Sequence, residues 1–116
     1  MNDQEKLEKF LDTQDYMVIA VKCEDGTPWA VPVKIQARDG LTVFEWDSKI
    51  DTVHSRSIEF SPQMAMTIYV AGSEQIGFYA KGSGSLVEVR NDVYGRYKFV
   101  ASEVWMNDGS FVKRRV

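Results

Sequence analysis

The chain is punctuated by tight turns, and these limit its fold more than any other feature. Glu24-Asp-Gly26, Arg38-Asp-Gly40 and Asn107-Asp-Gly109 each set an aspartate directly before a glycine, between short β-branched or aromatic runs. Runs joined this way form antiparallel strands that pair with their neighbours in sequence. Tyr16-Met-Val-Ile-Ala-Val-Lys22 is the first such run, residues 29–37 the second and 41–46 the third, so the β-region opens as a three-strand meander. Pro32 lies inside the second run and has no amide to give a ladder. That strand must therefore be at an edge, be bulged, or face something other than a neighbouring strand.

Before the meander, Asn2 followed by Glu5 resembles a capping box, and Leu7, Phe10 and Leu11 fall on one stripe, which predicts a short helix over residues 3–14. After it, residues 63–71 are apolar on both parities, as in a strand buried on both faces. Residues 72–74 read as a loop. Residues 76–89 form a long strand whose Gly77, Gly82 and Gly84 mark barrel corners, a phosphate-cradling role for Gly82-Ser-Gly84 being disfavoured because no helix follows. Asn91 is placed to cap a short helix carrying Val93, Tyr94 and Tyr97. Residues 102–107 and 110–116 are the last strands. The expected fold is mainly β: a six- to seven-stranded antiparallel barrel or sandwich with two or three short helices, in a single domain spanning residues 1–116.

Composition narrows the function classes. With 44% hydrophobic and 27% charged residues the chain is an ordinary globular sequence, and its net charge of −3 argues against general nucleic-acid binding, which needs a basic surface. The acidic, amphipathic N-terminus is unlike a signal or transit peptide, and the apolar run at 16–21 is too short to cross a bilayer, so a cytoplasmic protein is expected. One cysteine, Cys23, and one histidine, His54, cannot make a disulfide or a zinc site of familiar spacing.

Chemistry concentrates in residues 46–62, WDSKIDTVHSRSIEFSP, where a strand gives way to a helix that Pro62 ends. A helix start offers unpaired amides and a positive dipole end, so Thr52, His54, Ser55 and Arg56 within one turn of it suit a phosphate. On a helical wheel Ile50, Val53, Ser57, Ile58 and Phe60 share one arc with His54 inside it, while Thr52 and Arg56 flank it and Ser55 and Glu59 point away. The same wheel permits a plainer account: His54 packed among aliphatics, Arg56 solvated, and Thr52 and Ser55 serving only helix-start chemistry. Trp46 and Trp105 each end a strand, where an indole can cover a planar ring or simply fill a core.

Together, Gly26-Thr-Pro-Trp-Ala-Val-Pro-Val33, Trp46-Asp-Ser48, Thr52-Val-His-Ser-Arg-Ser-Ile58 with Pro62, and Val104-Trp-Met-Asn-Asp108 resemble the pyridoxamine 5′-phosphate oxidase-like, FMN-binding split-barrel family, in its small single-domain branch. The resemblance implies a split barrel and a homodimer with FMN at the interface. It implies a flavin phosphate held by Ser48, Thr52, His54, Ser55 and Arg56. It also implies an isoalloxazine along the second and third strands at Pro32, Val33, Trp46 and Asp47, with Trp105 reaching the other subunit's cofactor. Ser57 stands where the branch often has Asn, and His54 where the vitamin-processing oxidases have Lys, so a different small-molecule substrate is expected. The implied function is a flavin-dependent oxidoreductase, the alternatives being a non-catalytic flavin or deazaflavin carrier or sensor and a structural barrel.

Overall fold

The computed structural model describes residues 1–72, 75–109 and 112–116. Ser73 and Glu74 of the expected loop, and Ser110 and Phe111 of the expected last strand, lie outside that range.

The first helix, α1 (Asp3–Leu11), starts as the sequence predicts: the Asn2 side chain accepts from the Glu5 amide at 2.8 Å, and Leu7 and Leu11 are buried. It ends earlier than residue 14 because the Thr13 amide and hydroxyl both turn back to the Phe10 carbonyl, at 3.1 and 2.7 Å. Its outer side is tied down by ion pairs, Lys6 to Asp108 at 2.5 Å and Arg114 to both Asp3 and Asp108. These cations hold the Asp108 carboxyl well below the usual carboxylate range, Arg114 contributing most.

The strands are β1 (Tyr16–Lys22), β2 (Pro28–Lys34), β3 (Ala37–Asp39), β4 (Val43–Lys49), β5 (Gln63–Val70), β6 (Ile76–Arg90), β7 (Tyr94–Asp108) and β8 (Arg114–Arg115). A second helix, α2 (Val53–Phe60), joins β4 to β5. All pairings are antiparallel, in the order β2-β1-β5-β6-β7-β4-β3, with β8 added to β7. Pro32 sits opposite Val18 on β2, which ends the path, so its missing amide costs no ladder bond to a further strand.

The run expected to be one strand over 29–37 is broken in two, for a reason that shapes the whole fold. β2 belongs to β1, but at Ile35 and Gln36 the chain crosses over: the Ile35 amide still donates to Asp15, whereas the Gln36 amide donates to Glu45 on β4. β3 then pairs with β4. This crossing brings β2 beside β4 without a ladder between them, while α2 packs on β1, β2 and β6. The sheet curls into a barrel and is not closed.

Three further expectations change. Strand β5 alternates, with Met64, Met66 and Ile68 buried and Tyr69 exposed, so it is covered on one face and not on both. No helix follows Asn91: Asn91 and Asp92 take φ of 55° and 57°, a left-handed pair matching the twist of the long β6–β7 hairpin, and the strand expected at 102–107 begins at Tyr94. Eight strands and two helices result among the described residues. The glycine reading fares better: the register slips between Lys81 and Gly82, where a Cβ would lie 2.1 Å from the Val100 carbonyl oxygen. Gly82 thus permits a backbone approach that a side chain would block.

Inside the barrel, Trp46, Tyr97, Phe44, Phe78, Phe99, Leu7, Met17, Ile19 and Met106 are fully covered. Strand alternation sends the complementary set outward, and the register aligns it in rows: Pro32, Val18, Thr67, Tyr79 and Trp105 in one, Ala30, Ala20, Ala65, Lys81 and Glu103 in the next.

Candidate anion-binding corner at the start of the second helix

The corner is built where β4 runs out. Thr52, in extended conformation, caps α2 by accepting the Ser55 amide at 3.1 Å. Among the described residues the Val53 and His54 amides find no carbonyl, so the first two donors of the helix remain free. Ser48, on the inward face of β4, brings its hydroxyl to 3.0 Å from His54 Nε2, and the Thr52 hydroxyl lies 3.4 Å from the same nitrogen. The helix therefore starts with two unused amides, and an imidazole between two hydroxyls stands beside them.

Ser55 takes a different place from the one the wheel gave it. It is fully buried, and its hydroxyl donates to the Lys49 carbonyl at 2.8 Å while lying 2.8 Å from the Thr52 hydroxyl. Val53 and Phe60, expected on the covered arc, are exposed. The helix is rotated toward its hydroxyl side because the Thr52–Ser55–Lys49 network holds that side down. Ser57 follows the same rule, its hydroxyl returning to the Val53 carbonyl at 2.7 Å.

His54 is 9% exposed, and burial holds its pKa below the ordinary histidine value, so at neutral pH it is an uncharged ring. Arg56, one residue past the buried Ser55, is exposed, and its guanidinium forms no ion pair among the described residues. The corner therefore has one free cation and one group that can become a cation.

Asp47 points to the other face of β4, where Arg96 grips it through two bonds at 2.6 and 3.2 Å and Arg90 stands 3.9 Å away. Those partners, Arg96 first, lower its pKa and answer its charge. Trp46 is a core residue stacked on Tyr97 with centroids 5.9 Å apart. Its Nε1 has no hydrogen-bond partner among the described residues. Val33 is buried and Pro32 exposed, on opposite faces of β2. β2 and β4 lie close together without a ladder between them, so these residues stand on adjoining strands.

Of the ten residues singled out, Ser48, Thr52, His54, Ser55 and Arg56 meet at the corner, and Pro32, Val33, Trp46 and Asp47 belong to the strands beside it. Trp105 stands apart, half-buried on the outer face of β7, with Lys81 Nζ 5.7 Å and Arg115 Cζ 5.6 Å from its ring. Sequence reasoning passed over Lys81, Lys113 and Tyr79 around it. Period-two alternation through 76–89 was the signal that could have put Tyr79 and Lys81 on one face. Cys23 is half-buried and free, and no group of three metal-binding side chains occurs among the described residues.

No family model and no curated protein matches the sequence. Solved structures do match. A Clostridium acetobutylicum protein related to general stress protein 26 of B. subtilis, of the pyridoxinephosphate oxidase family, superposes with a TM-score of 0.83 at 10% identity, over 97% of this chain and 92% of that one. A heme binding protein from Mycobacterium smegmatis gives a TM-score of 0.84 at 12% identity; this chain is covered in full and spans 58% of that longer protein. The heme storage protein HutZ from Vibrio cholerae gives 0.73 at 12% identity, over 97% and 96% of the two chains. At such identities likeness speaks for the fold, and the fold of this chain is that of the pyridoxamine 5′-phosphate oxidase-type split barrels.

Proposed function

We propose that the chain binds FMN with its phosphate at the start of α2, and that it acts as a flavin-dependent oxidoreductase on a small molecule, as a homodimer with the cofactor between subunits. The carrying observation is the pair of unused Val53 and His54 amides beside Ser48, Thr52 and the free Arg56. The donor chemistry fits a phosphate monoester. Amides and hydroxyls can donate to its oxygens, Arg56 can swing over it, and a dianion nearby would draw a proton onto His54 and make it a further charged donor. Ser55 would act behind these groups, holding the Thr52 cap in place.

The unladdered edge between β2 and β4 suits a flat ring system chemically, because Pro32 presents no amide and the Asp47 charge is already answered by Arg96. Bound there, the flavin would supply the redox chemistry, and the protein's part would be to hold and orient it. Heme, which the names of two structural neighbours bring into view, is less well served: the one histidine is buried with its Nε2 turned to Ser48.

Titration of the flavin-free protein with FMN and with riboflavin tests the reading. FMN should bind at least about tenfold more tightly, since one charge-assisted contact alone is about 1.5–3 kcal/mol. Equal affinities would contradict a phosphate seat. Turnover of a reduced nicotinamide with a quinone or dye then separates the enzyme from the non-catalytic carrier.

A further inference from the structure

The hydroxyl protons at the start of α2 can be placed one by one. Ser55 gives its proton to the Lys49 carbonyl at 2.8 Å, and Thr52 has two nearer acceptors, Ser55 Oγ at 2.8 Å and the same carbonyl at 3.1 Å, than His54 Nε2 at 3.4 Å. Thr52 therefore meets the imidazole as an acceptor. Ser48, 3.0 Å from Nε2, is the one hydroxyl beside the ring whose proton is uncommitted among the described residues, and no hydrogen bond to Nδ1 occurs among them. While Ser48 donates to Nε2 it has no proton for a ligand oxygen. A proton on Nε2 reverses that bond: His54 donates to Ser48, and the Ser48 hydroxyl is released toward the ligand. Beside a dianion the ring gains by holding a second proton on Nδ1, since an opposite charge a few Å away favours the imidazolium.

What faces the ring decides whether that proton arrives with the ligand. Lys49 at the end of β4, Asp51 before the helix, and Arg56 and Glu59 on α2 are exposed; Asp47 is turned away to Arg96, and Tyr97 of β7 faces Ser55. β1, β2 and β6 pack on α2, and no charged group from them acts on the ring, whose titration is displaced by burial alone. The chain by itself therefore keeps His54 neutral at pH 7, and a dianion seated against the Val53 and His54 amides brings the opposite charge that the protein does not. We infer that a phosphate monoester docks at the start of α2 together with one proton, held by His54 for as long as the ligand stays, so that rising pH loosens the seat. Such a proton-locked seat rests on the phosphate reading above. His54 alone titrates below 6.5, and the second ionisation of a phosphate monoester lies near about pH 6. Between about pH 6.5 and 8 the bound complex is thus the state that loses a proton, and that loss weakens binding.

Calorimetric titration of the full chain, freed of flavin, with FMN and with riboflavin tests this. Repeated at pH 7 in buffers of low and of high ionisation enthalpy, it counts the protons exchanged. FMN should take up about 0.5–1 proton per site and riboflavin none, and FMN affinity should fall about three- to tenfold from pH 6.5 to pH 8 while riboflavin affinity stays level. In the unsubstituted protein the His54 ring resonances should move to imidazolium positions on saturation with FMN at pH 7. His54→Gln should abolish the uptake and level the FMN profile. FMN preferred over riboflavin without proton uptake, an uptake that survives His54→Gln, or a His54 ring that stays neutral on saturation would overturn the proton coupling and leave the phosphate seat standing. Equal affinities for FMN and riboflavin would overturn both.

Discussion

The two polar features of this molecule are built on opposite plans. At the start of α2 nearly every side-chain donor is already engaged with a neighbour, and the one histidine is buried and neutral; on the outer face of the sheet Lys81 and Lys113 are exposed and answered by no carboxylate among the described residues. The corner is preorganised around a single free cation among the described residues, Arg56. The face is charged and loosely held. A small dianion gains most from the first plan, where fixed amides and hydroxyls converge on a point.

If that contrast is right, substitutions in the two places should fail in different ways. The largest effect belongs to Arg56→Ala: FMN affinity should fall about 10- to 100-fold, the equivalent of one charge-assisted contact, with riboflavin affinity unchanged, as measured by calorimetric titration. Equal losses for both ligands would move Arg56 away from the phosphate. Next comes Ser55→Ala, which removes a fully buried hydroxyl that donates to the Lys49 carbonyl and should cost about 1–1.5 kcal/mol in chemical denaturation. By contrast Lys81→Met, on the exposed face, should stay within about 0.5 kcal/mol of the parent. A stable Ser55→Ala protein would break the distinction between a braced corner and a free surface.

Thr52→Ala should lose about 1 kcal/mol through the N-cap, and FMN should restore part of it if the ligand organises the same helix start. The smallest effect is a pH dependence. His54 has a folded pKa below its unfolded value near 6.5, so the unfolded chain takes up the proton first and stability falls as pH drops below that value. Denaturant midpoints compared at pH 7 and pH 5.5 should show this fall, and His54→Gln should flatten it. Saturating inorganic phosphate should also reduce the fall, because it favours the imidazolium in the folded state.

Much of this fold was legible in the sequence, because its turns and its proline obey local rules. Strand β1 has the bounds its β-branched run implies, and Pro32 lies on an edge strand, one of the three placements its missing amide allowed. What escaped was decided at a distance. The residue pair Asn91-Asp92 reads equally well as a helix cap or a left-handed turn, and only the pairing of β6 with β7 over their full length selects the turn. The break at Ile35 and Gln36 depends on which sheet edge claims each amide, and nothing local says so. At the corner the residue types could be read, but the rotation of α2 that buries Ser55 and exposes Val53 could not, since hydroxyl bonds to Lys49 outweigh the apolar arc.

Whether a flavin phosphate belongs at the start of α2 can be asked most directly of the protein as it is purified. A visible absorption spectrum, followed by mass spectrometry of whatever denaturation releases, should show the bands of oxidised flavin and the mass of FMN. Colourless protein that remains unchanged when FMN is added, or release of a ligand with no phosphate, would contradict it.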